Sequence, residues 1–209
     1  MSTGTISRLL TAPLAMLLAS CATSASGARQ PGEFRKGQTS FFNEGSQLIL
    51  GLDTRSSRIT GPAEFLPVQV VVLNRQKATL GVDRESFSLV RPDGMQLPAA
   101  SPQEWRRDYH RARADLRIGM PFLDNVFGRY PSPPFHWMSI DLFPEKVLGA
   151  IPRSGLDLRF SDGTFGYLYF RHPQEGKPAP AGVYKLLMRP RGSEETYVVD
   201  FIPYEAKKD

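Results

Sequence analysis

The stretch FLPVQVVVL, residues 65–73, decides the fold class because it is apolar almost throughout. Side chains along a β-strand point alternately to opposite faces of the sheet. One face of this stretch carries Val68, Val70 and Val72, and the opposite face carries Val71. Such a stretch is typical of a strand that is buried on both sides or central in a sandwich.

Shorter apolar stretches with turn residues between them follow along the chain. Strands are predicted over residues 47–52, 80–82, 87–90, 95–97, 138–142, 156–160, 165–170, 183–188 and 197–202. Residues 91–94, Arg-Pro-Asp-Gly, suit a type I turn that closes a hairpin. Strands of this length with a turn signal about every ten residues predict a mainly β protein with an antiparallel β-sandwich.

One helix is predicted in the middle of the chain. Ser101 suits the N-cap, Pro102 the first helical position and Glu104 the third position of a capping box. An apolar stripe follows at helical spacing: Trp105, Tyr109, Ala112 and Leu116. Residues 119–121, Gly-Met-Pro, should end the helix. The sequence therefore predicts one inserted amphipathic helix over about residues 102–118.

The first residues carry an export signal. Arg8 precedes an apolar run of about ten residues, whereas a spanning helix needs roughly 20. The run ends on Leu18-Ala19-Ser20-Cys21, and Cys21 is the single cysteine of the chain. These four residues resemble the lipobox of bacterial lipoproteins, in which the cysteine thiol receives a diacylglycerol and signal peptidase II cuts just before it. The resemblance implies a lipid anchor in the bacterial cell envelope. Because Ala22 rather than aspartate follows the cysteine, it further implies the outer membrane, with the protein facing the periplasm.

The predicted domain layout follows from this signal. Residues 1–20 are the lipoprotein signal peptide, residues 21–40 the lipidated cysteine and a flexible tether, and residues 41–209 a single β-sandwich domain. The alternative is cleavage by signal peptidase I, for which residues 20–22 and 26–28 offer small residues at the required spacing.

Two stretches of the mature part resemble immunoglobulin-like domains. Residues 180–186, PAGVYKL, are similar to the proline-glycine start of a late strand in those domains, and residues 68–74 share their VxVxVxN pattern. The likeness implies an immunoglobulin-like β-sandwich of the kind found in envelope lipoproteins. It implies no functional residues.

No catalytic, cofactor or metal motif occurs in the sequence. His110, His136 and His172 are far apart and lack the short spacing of zinc ligands, and nucleophile-elbow and phosphate-loop patterns do not occur. We expect a non-catalytic binding or assembly module without a cofactor. Carboxylate pairs such as Asp53 with Glu64 would suit a glycosidase only by accident of the fold. Two alternatives stay open: an envelope hydrolase with a site assembled from distant residues, or a carrier of an apolar ligand.

Two stretches are candidate contact surfaces. Five arginines, at positions 106, 107, 111, 113 and 117, lie off the apolar stripe of the predicted helix and could meet phosphate groups. A plain solvated face is the alternative, favoured by the neighbouring acids Glu104, Asp108 and Asp115. Residues 127–137 combine aromatic residues with prolines, and they form either an exposed platform or a loop that covers the sandwich.

The candidate contact residues are Arg106, Arg107, Arg113, Tyr130 and Trp137. The net charge of +5 for the full chain becomes +4 once the signal peptide and its one arginine are removed. The expected partners are the membrane, through the lipid, and another envelope protein or an anionic envelope polymer. Nucleic acid is not an expected partner because that compartment lacks it.

Cys21→Ser should abolish incorporation of labelled fatty acid and release the protein from the membrane fraction, because the thiol is the predicted acceptor of the anchoring chains. Cell fractionation with fatty-acid labelling measures both effects. Unchanged membrane fractionation of the variant would contradict the lipid anchor.

Overall fold

The computed structural model describes residues 37–61, 64–139, 155–172 and 180–203. Its strands are β1 (Ser40–Glu44), β2 (Leu48–Asp53), β3 (Phe65–Asn74), β4 (Thr79–Asp83), β5 (Phe87–Val90), β6 (Gln96–Pro98), β7 (His136–Ser139), β8 (Gly155–Arg159), β9 (Asp162–Arg171), β10 (Tyr184–Met188) and β11 (Tyr197–Phe201). Its helices are α1 (Arg55–Thr60), α2 (Pro102–Asp108) and α3 (Ala112–Arg129).

The central strand β3 is buried along its whole length, as the sequence predicts. Val68, Val70 and Val72 pack into the core between two layers of strands. On the opposite face, Phe65 packs against α2 residues and Val71 against α3 residues. The strand is apolar on both faces because strands cover one side of its sheet and helices cover the other.

A five-stranded sheet in the order β1-β2-β3-β9-β7 forms the middle layer. Its neighbours pair antiparallel, except for β7 and β9, which run parallel. A four-stranded sheet, β11-β10-β5-β6, and the pair β4-β8 contribute the other side of the core. The mainly β fold with antiparallel sheets is confirmed, and the layers are consistent with a β-sandwich.

Two hydrogen bonds tie the layers together at their margins. The side-chain amide of Asn43 on β1 donates to the Val198 carbonyl on β11 at 2.9 Å. The N–H of Ala100, just after β6, donates to the Tyr169 carbonyl on β9 at 2.7 Å. The chain therefore passes from the four-stranded sheet to the five-stranded sheet directly before α2 begins.

The predicted strands all find counterparts, whereas β1 and α1 were not predicted. Strand β1 begins at Ser40, one residue inside the predicted tether. The predicted signal peptide, Cys21 and the tether up to residue 36 lie outside the described residues, as do residues 140–142 of one predicted strand.

The single helix predicted over residues 102–118 is wrong, because two helices occupy this region. Helix α2 has the predicted capping box: the Ser101 hydroxyl accepts from the Glu104 N–H at 3.3 Å, and the Glu104 carboxylate accepts from the Ser101 N–H at 2.6 Å. The helix ends where Tyr109 takes an extended conformation, with φ −122° and ψ 113°. The apolar stripe still packs as one set, because Trp105 and Tyr109 are buried and Leu116 packs against the same cluster.

Helix α3 also continues through residues 119–121, where the sequence predicted its end. Pro121 removes one backbone donor from the helix, but Phe122, Leu123 and Val126 beyond it are buried against the sheet. Gly119 permits this close packing, because a Cβ there would lie 2.3 Å from both Gln69 Oε1 and the Tyr167 hydroxyl. Burial of the second half of α3 outweighs the local stop signal.

Gly119→Ala should lower the free energy of unfolding by about 1–3 kcal/mol, because an added methyl group overpacks a buried contact. Gly128→Ala on the same helix is the matched control, since a Cβ there meets nothing within 4 Å. It should stabilise the protein by about 0.5–1 kcal/mol through helix propensity. Urea denaturation measures both values, and equal effects at the two positions would contradict the close contact.

Candidate functional site

The helical layer, formed by α1, α2 and α3, covers the outer face of the five-stranded sheet with an aromatic cluster beneath it. The Trp105 ring stacks on Tyr169 of β9 with 6.0 Å between the ring centroids. Tyr109 lies 4.8 Å from Tyr169 and 5.7 Å from Phe65 by the same measure. These rings attach α2, and the residues that follow it, to β3 and β9.

One carboxylate lies within this apolar contact. Asp115, in the first turn of α3, is fully buried. Its Oδ2 accepts hydrogen bonds from the hydroxyl of Tyr109 at 2.5 Å and from that of Tyr169 at 3.1 Å. The Tyr167 hydroxyl donates to the backbone carbonyl of Asp115 at 2.6 Å. Among the described residues no basic side chain forms an ion pair with Asp115.

Ser56 on α1 and Gln69 on β3 complete this group, which we name the Asp115 cluster: Asp115, Tyr109, Tyr167, Tyr169, Ser56 and Gln69. The Ser56 hydroxyl lies 2.9 Å from the Tyr167 hydroxyl. Burial raises the pKa of Asp115 above its ordinary value, while the two tyrosine hydroxyls, the charge of Arg111 and the Ser56 hydroxyl oppose the rise. Burial likewise raises the pKa values of Tyr109, Tyr167 and Tyr169, so these hydroxyls remain donors.

Sequence reasoning treated Asp115 as a surface acid and missed its burial. Its position in the sequence could have indicated burial, because Asp115 lies three residues after Ala112 and four residues before Gly119. Residues at these spacings share one helix face, and this face contacts the sheet. A polar residue there needed hydrogen-bond partners, which the tyrosines of β9 supply.

The predicted arginines differ in their surroundings. Arg107 is exposed and bonds to Asp108 at 2.9 Å, and Arg171 shares that carboxylate at 3.3 Å. The side chain of Arg106 lies outside the described part of the structure. Arg113 is exposed, as are Arg111 and Arg117, and none of these three forms an ion pair with another described residue.

The acids that were expected to offset these arginines are engaged elsewhere. Glu104 caps α2, and Asp115 is buried beneath α3. Arg111 is the N-cap of α3, and Arg113 follows in its first turn. Cations are unfavourable at this end because the helix dipole is positive there. The positions of Arg111 and Arg113 therefore do not stabilise α3. We name Arg111, Arg113 and Arg117 the arginine surface.

Tyr130 and Trp137 come together at the other end of α3. The Trp137 indole N–H donates to the Tyr130 carbonyl at 3.0 Å, and the Trp137 ring lies 5.1 Å from that of Phe127. A Cβ at Gly163 would lie 2.6 Å from the indole ring, so Trp137 packs directly on β9. Both side chains are half-buried, and this segment covers the sheet edge rather than forming an exposed platform.

The five predicted contact residues do not form one surface. Arg113 and Tyr130 are separated by nearly the full length of α3, about 26 Å at 1.5 Å per residue. The arginines and the aromatic pair are thus separate features, and among them the exposed side chains that the structure describes are those of Arg107 and Arg113.

The histidines are also apart. His110 and His136 are exposed, and His172 is buried next to the end of β9. His136 lies 3.7 Å from Asp162 at the margin of an open cleft of about 650 Å³. Within the described ranges no three histidine, cysteine or acidic side chains converge to hold a metal ion.

The carboxylates considered for a hydrolase are engaged in other contacts. Asp53 is buried and accepts from the Ser40 hydroxyl at 2.8 Å, while Glu64 pairs with Arg171. No helix in the described part of the chain is both long and apolar enough to cross a membrane. Comparisons with protein-family models, with curated proteins and with solved structures find no match to this chain.

Proposed function

We propose that this protein is a lipid-anchored protein of the bacterial cell envelope that binds an anionic envelope component through the arginine surface. The observation that carries this proposal is that Arg111, Arg113 and Arg117 are exposed and form no ion pair with another described residue. The neighbouring acid Asp115 is buried and acts on Arg111 only through its charge. Guanidinium groups suit phosphate and carboxylate ligands because they donate planar, paired hydrogen bonds.

The lipid at Cys21 places this surface in the envelope, at the outer membrane and facing the periplasm. A tether of about 20 residues lets the domain reach partners close to that membrane. The partner is an anionic polymer or an acidic surface of another envelope protein, and the protein acts without catalysis. The positive net charge of the mature part favours both partners over a cationic one.

An immunoglobulin-like origin of the sandwich is part of the same proposal. It is supported by Gly182, which lies just before β10, and by the alternating valines that precede Asn74 in β3. It accounts for the fold class and adds nothing to the site.

Charge reversal tests the arginine surface. The triple variant Arg111→Glu, Arg113→Glu, Arg117→Glu should bind labelled polyphosphate, a soluble polyanion, about tenfold more weakly or worse, which is a loss of about 1.4 kcal/mol. Binding is measured by fluorescence anisotropy with the protein held in nonionic micelles. Added salt should weaken the wild-type interaction, because the screening length falls to about 8 Å at physiological ionic strength.

The matched control reverses three exposed arginines of the sandwich: Arg75→Glu, Arg159→Glu and Arg189→Glu. This variant has the same net charge and should keep most of the binding. Thermal stability should change little in either variant, since exposed charges contribute little to folding. Equal loss in both triple variants, or no binding by the wild type, would contradict the arginine surface as the contact site.

A further inference from the structure

The hydrogen bonds of the Asp115 cluster leave two of its buried acceptors without a donor in the described part of the structure. The hydroxyl protons of Tyr109 and Tyr169 both go to Asp115 Oδ2, and that of Tyr167 goes to the Asp115 backbone carbonyl. Asp115 Oδ1 and Gln69 Oε1 are buried acceptors without a hydrogen-bond donor among the described residues. Leaving such atoms unpaired in a buried site is costly.

We propose that the Asp115 cluster is a proton-binding switch, in which a proton on Asp115 tightens the helical layer and increases the positive charge around the arginine surface. A proton on Oδ1 turns one unpaired acceptor into a donor and removes a buried charge that forms no ion pair in the described part of the chain. Ionisation of Asp115 loosens the helical layer, because it restores a buried negative charge beneath the first turn of α3.

The groups that face Asp115 set the sign of this response. The charged and titratable ones are Tyr109 and Arg111 from the α2–α3 connection, and Tyr167 and Tyr169 from β9. Asp53 at the end of β2 and Arg55 at the start of α1 act on Tyr167. Burial raises the pKa values of the three tyrosines and so keeps them neutral.

The direction of the effect on stability follows from proton linkage. Because burial raises the pKa of Asp115, the folded protein binds this proton more tightly than the unfolded chain does. The stabilising contribution is complete below the ordinary aspartate pKa of about 3.9 and is lost as the pH rises through the folded value. The helical layer is therefore held most tightly in acid and less tightly at higher pH.

The effect on binding rests on the proposed function. A neutral Asp115 no longer offsets the charge of Arg111, so an anion should bind more tightly in acid. Linkage requires the reciprocal effect, in which anion binding promotes protonation of Asp115. Exposed His110 beside the arginine surface would strengthen binding in acid as well, so the experiment must separate the two residues.

The proton site is tested first on the full chain in nonionic micelles. The carboxyl carbon resonance that disappears in Asp115→Asn should titrate above the ordinary aspartate value in the wild type. Tyr109→Phe, which removes one donor to the carboxylate, should move that midpoint further up. If Asp115→Asn does not fold, sequential assignment from the Asp115 backbone identifies the same resonance. Titration at or below the ordinary value would overturn the switch.

Stability against urea between about pH 4 and about pH 8 gives the second readout. The urea midpoint of Asp115→Asn should rise relative to that of the wild type as the pH increases, because the amide supplies the missing donors without a charge. Asp124→Asn, an exposed acid on the same helix, is the matched control and should follow the wild type. A constant difference between wild type and Asp115→Asn would overturn the proposal.

Binding of labelled polyphosphate over the same pH range tests the coupling. The wild type and His110→Gln should both bind more tightly in acid, whereas Asp115→Asn should show little change with pH. A rise that disappears in His110→Gln and persists in Asp115→Asn would overturn the coupling. Absence of polyphosphate binding at every pH would refute the proposed function and the coupling, while the carboxyl titration decides the proton site independently.

Discussion

The hydrogen bonds from two tyrosine hydroxyls to the buried carboxylate of Asp115 are the interaction on which the outer half of this structure depends. The aromatic rings of β9 offer an apolar surface, but apolar contact alone does not fix the position of a helix. Hydrogen bonds to the carboxylate are directional. Tyr109 donates one from the α2–α3 connection, and Tyr169 donates the other from the sheet. The break between α2 and α3 lets Tyr109 reach Asp115, and Gly119 lets the next turn approach β3 and β9.

Burial of Asp115 also changes the surface above it. An exposed acid three or four residues from these arginines would pair with them on the surface of α3. Here the acid faces inward, and Arg111 and Arg113 are exposed at the helix end where the dipole disfavours them. The buried position of Asp115 thus holds the helical layer on the sheet and also leaves the arginine surface without a neighbouring exposed acid in the described part of the chain. This connection between the interior and the surface is the basis of both the proposed function and the proton switch.

The sequence predicts the strands well because their signal is local and repeated. Two-sided burial of β3, the hairpin at residues 91–94 and the capping box at Ser101 each depend on a few adjacent residues, and all three are present. The helix boundaries were not predictable in this way. Arg111 caps α3 without a side-chain hydrogen bond, and Pro121 lies inside the helix because the sheet buries the residues after it. The arginine surface was predicted in part, but its lack of compensation depends on the three-dimensional position of Asp115.

Native-state hydrogen exchange in the double variant Tyr109→Phe, Tyr169→Phe tests most directly whether the carboxylate contact holds the helical layer. Both rings remain and only the two hydroxyl donors are lost. Hydrogen bonds to a charged group contribute about 1.5–3 kcal/mol each, so the amides of α2 and α3 should exchange at least about tenfold faster while those of β2 and β3 keep their protection. The control Tyr184→Phe removes a hydroxyl that donates to the Pro180 carbonyl at 2.9 Å, and it should leave α3 unchanged. Unchanged protection of α2 and α3 in the double variant, or an equal loss in the helices and the central strands, would contradict the account.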